Sequence, residues 1–417
     1  MNQCSADIHK EEKNACARII TERISVHIMS ELGISVYPDL AGAEEIREYM
    51  KLASSYGCGR VFSSMFSVEG TNEEIIAYFK DMCESAHECS LRVSLDVNPG
   101  FLKKLGVSYD DISLFHEIGC DILRMDLPYG KEKDLILCQN PYGIQIQLNA
   151  SMGIEEELMY LKEHGVNEKQ LLLGHNFYPQ RYTGLKWNSF VETNRKLKKY
   201  GYPVDAFIAS HNENTHGVWD AKDGLPTVER MRDYPADLAY RILERMDVDC
   251  IMFGNAFASE EEFREIQKVR NAHKPLEESP LYPMLTAFGD MMKQSRRVCL
   301  KVIPEEGISE TEQYLLFEWY PQSDFGDSSE WIWRSRSGRF MNESRNVVPR
   351  KAEGEYFERG SVVMVNDSYR HYSGEVQIVR EPIINDGQRN LIGKLAEGET
   401  DLLDLIQDGD IVTFIAA

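Results

Sequence analysis

Acids, amides and histidines recur between residues 39 and 255, each just after a short apolar run. In chain order they are Asp39, Glu69, Asp96 with Asn98, Asp126, and Asn149 with Ser151. His175, Asn176, Tyr178 and Arg181 follow, then His211, Asn212, Glu213, Asn214 and His216, and last Asn255. Carboxyl groups facing one crevice divide into an acid and a base when their surroundings separate their pKa values. That chemistry suits cleavage of a glycosidic bond, where one carboxyl protonates the leaving oxygen and a second attacks or activates water.

A lone Asp or Asn at such a position often only caps a helix or braces a loop, the competing reading for Asp39 and Asn149. Asp96 in SLDVNP and Asp126 in RMDLP precede Pro-containing loops, where no cap is required, and are stronger candidates. A lone His is usually structural. Two His-Asn pairs, His175-Asn176 and His211-Asn212, with Glu213 directly after the second, are harder to assign to packing. Two histidines with Asp96, Asp126 or Glu213 would also suit a divalent metal. No HxH or HExxH spacing supports one, so neither a metal nor another cofactor is expected. Arg181 and Lys186 sit in HNFYPQRYTGLKW. A guanidinium fork there suits a phosphate or carboxylate, and Tyr178, Tyr182 and Trp187 offer faces for a sugar ring.

These side chains need a scaffold that sets them side by side. Eight short apolar runs cover 33–39, 59–66, 91–98, 121–127, 143–151, 171–179, 205–213 and 250–257. Amphipathic stretches between them, such as 43–56, 71–87, 154–164 and 234–246, read as helices. Thr71 and Ser259, each ahead of acidic residues, read as helix starts. Eight βα units over about 240 residues predict a (β/α)₈ TIM barrel, whose chemistry belongs at the strand C-termini. The alternative, an open doubly wound sheet, would carry a GxGxxG turn after its first strand. Here that turn reads VYPDLAGAEE.

From about residue 298 the runs RVCLKVI, YLLFEWY, WIWRSRS, SVVMVND, SGEVQIVR and DIVTFIAA read as strands of a second, mostly β domain. The expected division is an N-terminal extension over 1–30, the barrel over 31–274, a connector over 275–296 and the β domain over 297–417.

Composition limits the partners. The 417 residues carry a net charge of −22, which disfavours nucleic acid. No run approaches the roughly 20 apolar residues that span a bilayer, so no membrane partner is expected. Nine scattered cysteines without a CxxC pair suggest reduced thiols, and the N-terminus lacks a signal-peptide core. Both point to the cytoplasm. Oligomeric state stays open, a homo-oligomer included.

The segments LGISVYPD, SLDVNP, LRMDLPYG, LLLGHNFYPQRYTGL, ASHNENTHGVW and GLPTVERMRDYP resemble the 6-phospho-N-acetylmuramidase family, as does NDSYRHYSGEVQIVREPIINDGQRNLIG near the C-terminus. The resemblance implies a barrel followed by a cyclophilin-like β domain. It implies a cytoplasmic glycoside hydrolase of cell-wall recycling that acts on a phosphorylated amino-sugar disaccharide, 6-phospho-MurNAc–GlcNAc. Products would be N-acetylmuramic acid 6-phosphate and N-acetylglucosamine. It carries over no catalytic residue. From strand position, Glu213 is expected as the general acid, with Asp126 or Asp96 as nucleophile or as the group orienting the 2-acetamido arm. His175, Asn176, Tyr178, Arg181, His211, Asn212, Asn149 and Glu69 are expected to line the substrate. A metal-dependent sugar-phosphate isomerase or aldolase, and a sugar-phosphate-binding protein without catalysis, are the alternatives.

Overall fold

In the computed structural model the described residues are 29–65, 68–282, 295–341, 346–351 and 353–417; most of the expected N-terminal extension and part of the connector lie outside them. The chain divides into two compact units, one centred on Ser30–Ala272 and the other on His273–Thr400 and Ile406–Ala417.

The first unit is a closed barrel of eight parallel strands in sequence order. They are β1 (Glu31–Ser35), β2 (Cys58–Ser64), β3 (Arg92–Val97), β4 (Ile122–Met125), β5 (Gln145–Asn149), β6 (Leu171–Gly174), β7 (Val204–Ile208) and β8 (Cys250–Phe253). β8 closes on β1 through Glu31↔Cys250 to Gly33↔Met252. All eight expected strands are present, and each ends before its apolar run does. Helices begin where capping chemistry allows. Thr71 and Ser259 each accept from the amide three residues on, and Glu74 and Glu262 reach back to close the capping boxes. Each such cap typically contributes about 1 kcal/mol.

The barrel interior is layered. Tyr37, Phe62, Phe207 and Met252 pack together, with Phe62 and Phe207 edge to face at 5.4 Å between centroids. A polar layer is also enclosed. The buried Asp205 carboxylate of β7 accepts from Arg60 of β2 and Gln147 of β5, and Arg60 also reaches Glu31 at 2.7 Å. The Gln147 side chain fits because Gly174 of β6 leaves room for it. A Cβ on Gly174 would sit 2.5 Å from the Gln147 amide carbon. Burial outweighs the pull of Arg60 and holds the Asp205 carboxyl up at about 6.

The second unit is a mixed, mostly β domain. Its seven-stranded sheet runs β10-β17-β9-β16-β13-β14-β11. These strands are β9 (Arg297–Pro304), β10 (Gln322–Ser323), β11 (Ile332–Ser335), β13 (Ser361–Val365), β14 (Val376–Val379), β16 (Arg389–Leu395) and β17 (Ile411–Ala416). β17 pairs with β9 in parallel and the remaining pairs are antiparallel. β12 (Tyr356–Phe357) and β15 (Ile383–Ile384) form a separate ribbon. The run YLLFEWY, expected as a strand, is helical over Tyr314–Glu318. Ser309 and Glu312 form a capping box just ahead of it, and the helix they start continues through the apolar residues. RNLIGKL, which the period-2 pattern did not single out, is β16.

Candidate active site

Asp96 and Arg124 point into the barrel because alternation along β3 and β4 puts them on the inner face. The buried Arg124 guanidinium donates to Asp96 Oδ1 through Nη1 and to Asn176 Oδ1 through Nη2. Asn176 follows β6, two strands from β4, so the two side chains meet across the inside of the mouth. The same Nη1 lies 3.7 Å from Asp126 Oδ1. One arginine therefore holds two carboxylates and an amide from three segments.

The two acids differ in setting. The Asp96 carboxyl is buried, and burial raises it to about 6; the Arg124 charge opposes that rise and the Asp126 charge adds to it. Asp126 is 35% exposed at the strand end. Its backbone is fixed on both sides, its amide donating to Val97 O at 2.9 Å and its carbonyl accepting from Asn149 Nδ2 at 3.0 Å. Asn149 also accepts from the Ser151 amide. It braces the loops after β4 and β5.

His175 lies one residue beyond the last residue of β6, and its ring packs outward against Phe190 of the helix Trp187–Leu197. Nε2 donates to Asn194 Oδ1 at 2.8 Å, since Asn194 Nδ2 is spent on Met246 O. Nδ1 then accepts from Ser151 Oγ at 3.2 Å, and that oxygen accepts from the Asn176 amide at 3.0 Å. Burial pushes His175 down to about 4, so it is neutral near pH 7. The chain Asn194–His175–Ser151–Asn176 fixes the backbone from which Asn176 reaches Arg124.

His211 donates from Nε2 to Tyr234 O at 2.9 Å, and its amide donates to Glu262 Oε1 at 2.8 Å. Asn212 Nδ2 donates to Phe257 O at 2.7 Å. Asn255 bonds Ser210 and Thr215 and holds this loop to the end of β8. Glu213 is exposed on the turn, where its carboxylate makes no hydrogen bond or ion pair among the described residues. The two histidines do not converge, and no group of three or more potential metal ligands occurs among the described residues.

The HNFYPQRYTGL loop is clamped from GLPTVERMRDYP. The buried Arg232 donates to the carbonyls of Tyr178 and Gln180, and Glu229 accepts from the amides of Tyr182 and Gly184. Arg232 holds the Glu229 carboxyl down at about 2. Arg181 forks onto Asp233 at 2.7 and 3.0 Å. Two aromatics on the βα loops stand in solvent: Tyr182, 85% exposed, and Trp219, 66% exposed. Both adopt left-handed backbone, φ 72° and 57°, which costs a non-glycine residue about 1–2 kcal/mol. Glu69 is exposed beyond β2. Asp39 lies beyond β1, its carboxyl raised by burial and opposed by His216, whose ring nitrogens are buried and have no partner among the described residues.

The residue that sequence reasoning passed over is Arg124. The signal was available: in ILRMD, a charged residue sits within an apolar strand two residues before an acid, which turns both toward the same face.

The profile described as 6-phospho-N-acetylmuramidase, N-terminal, matches residues 32–268, and the one described as 6-phospho-N-acetylmuramidase, C-terminal, matches 298–415. An uncharacterized B. cereus protein is 30% identical with a TM-score of 0.78, over 93% of this chain and all of that one. A conserved Enterococcus faecalis protein of unknown function shares the fold at 23% identity and TM-score 0.64, over 93% of this chain and 96% of that one. No curated protein matches. The matched profiles name a glycoside hydrolase and together take in both units, so the chain belongs to the 6-phospho-N-acetylmuramidase family.

Proposed function

We propose that the barrel hydrolyses 6-phospho-MurNAc–GlcNAc in the cytoplasm, releasing N-acetylmuramic acid 6-phosphate and N-acetylglucosamine. The observation that carries this reading is the Arg124 bridge. Arg124 fixes the partly exposed Asp126 carboxylate at the C-terminal end of β4, where the chemistry of such a barrel belongs, with the buried Asp96 on the same guanidinium nitrogen.

Asp126, the open member, is the reacting carboxylate. It attacks the anomeric carbon or orients the 2-acetamido oxygen that does so, while the bond from that carbon to the leaving oxygen breaks. Glu213 gives its proton to the departing N-acetylglucosamine oxygen, and takes one back from the water that completes hydrolysis. Its place on the loop after β7 puts it at the C-terminal end of the barrel, the face on which the chemistry belongs. Asp96 is too enclosed for that exchange and positions Arg124. Tyr182 and Trp219 supply stacking faces on the βα loops, and Arg181 supplies a fork for the phosphate, shared with Asp233. Free thiols at Cys58, Cys83, Cys89, Cys120, Cys138 and Cys250, five of them buried, fit a reducing compartment.

The test is incubation with 6-phospho-MurNAc–GlcNAc beside its unphosphorylated form, followed by mass spectrometry. Cleavage of the phosphorylated form alone is expected. Cleavage of neither, in preparations of native fold, would remove the reading.

A further inference from the structure

We propose that the C-terminal sheet carries a binding site of its own for a hexose-sized anion, a sugar phosphate or sugar carboxylate. The site is a cavity of about 200 Å³ whose polar walls include Arg334, Tyr369, Tyr372, Glu375, Gln377 and Arg389. Strand register assembles it. Arg334 of β11 faces Gln377 of β14 directly, and residues opposite in an antiparallel pair share a sheet face. Arg389 opens β16, and the two tyrosines lie on the short turn Asp367–Tyr372.

A hydrogen-bonded relay fixes the walls. The fully buried Glu375 accepts from Arg334 Nη2 at 2.8 Å and from Gln377 Nε2 at 2.7 Å. Gln377 Oε1 in turn accepts from Arg389 Nε at 2.8 Å. Both guanidiniums are mostly buried, at 18% and 21% exposure, yet neither is used up. Arg334 Nε is buried with no partner among the described residues, and its Nη1 comes only within 3.9 Å of Asp327. Arg389 spends Nη1 on the half-exposed Asp386. Burying a guanidinium with donors unspent is costly unless a partner is supplied. Here a cavity stays open beside them.

The charge and shape of the opening select the ligand. Among the charged residues that line the cavity, Arg334 and Arg389 face Glu375 alone, a surplus of one cation in a chain of net −22. Guanidinium forks of fixed orientation match carboxylate and phosphate oxygens. Tyr372 lies under Arg334 and Arg339 and stacks on Tyr369 at 5.0 Å, which leaves a rigid aromatic edge for a sugar ring. A cavity well below the roughly 300–1,000 Å³ of drug-sized sites takes one ring. A neighbouring groove shares Ile332 and Arg389 with it and adds the exposed Trp331, so a second ring has a surface to lie on.

The test is calorimetric titration of the full chain with glucose 6-phosphate, glucuronate, inorganic phosphate and glucose. Glucose 6-phosphate or glucuronate is expected to bind at sub-millimolar concentration, and their order tells which anion the site serves. Glucose and inorganic phosphate are expected to bind at least tenfold more weakly. Arg389→Ala should weaken binding tenfold or more and Tyr369→Ala severalfold. Arg389→Gln decides the point if Arg389→Ala does not fold. Absence of heat from both sugar anions overturns the proposal. So does equal binding of glucose or phosphate, or full affinity in folded variants at both positions.

Discussion

Arg124 Nη1 lies 3.7 Å from Asp126 Oδ1, a separation at which the cation steadies the carboxylate without closing it off. Asp126→Asn keeps the size and removes the charge. It is expected to lower kcat by about 10³-fold or more, the scale seen when a group acting in the transition state is lost. Steady-state rates on 6-phospho-MurNAc–GlcNAc measure this. Wild-type turnover would reassign the reacting carboxylate.

Asp96 makes the site sensitive to acid. Its carboxyl titrates at about 6, above the ordinary 3.8, chiefly because it is buried. Below that pH it takes a proton and loosens its hold on Arg124. The acid limb of kcat/KM should therefore fall near pH 6, and Asp96→Asn should flatten it. A profile unchanged in the variant counts against this origin.

How much of this was legible depended on distance along the chain. The eight strands and the caps at Thr71 and Ser259 were readable because periodicity and capping are local. The direction in which His175 points was not. β6 ends at Gly174, inside the expected run 171–179, and where the strand ends decides whether the ring of the next residue faces the mouth or Asn194. The pairing of Arg181 with Asp233 joins residues 52 apart, and the bridge from Arg124 to Asn176 joins another such pair. Such contacts are set by barrel closure, not by neighbours in sequence. In the second unit, YLLFEWY satisfies the strand pattern as well as the helical one, and only the Ser309 cap separates them.

Glu213 is separable from Asp126 by the leaving group. A general acid typically contributes about 10²–10⁴-fold. Glu213→Gln should lose that much on the natural disaccharide. It should lose far less on an aryl glycoside whose phenol departs without a proton. Equal losses on both substrates would place Glu213 elsewhere in the cycle.

His175 is expected to act through position alone. Burial holds it at about 4, below the ordinary 6.5, so the native state resists its protonation. Its contribution to stability is present above pH 6.5 and lost as pH falls through about 4. His175→Gln leaves Ser151 or Asn194 without its present partner, which costs about 1–3 kcal/mol. Denaturant unfolding should show that loss, while the pH–rate profile keeps its shape. A limb that vanishes in the variant would make His175 a proton carrier instead.

Asp205 carries the opposite linkage. Buried against Arg60, it titrates at about 6 instead of the ordinary 3.8, so the folded chain binds its proton more readily than the unfolded chain. This group's contribution to stability is full below pH 3.8 and is lost as pH rises through about 6. Raising a carboxyl by one pH unit corresponds to about 1.4 kcal/mol, so the swing is on the order of 3 kcal/mol. Asp205→Asn removes the titration and keeps an amide for Arg60 and Gln147 to meet. Across pH 4 to 7, wild type should therefore gain stability relative to the variant as the solution is acidified, read as the difference between two denaturant midpoints. Parallel curves would mean that Arg60 already holds Asp205 ionised throughout, and that the enclosed pair, not its burial, governs this layer of the barrel.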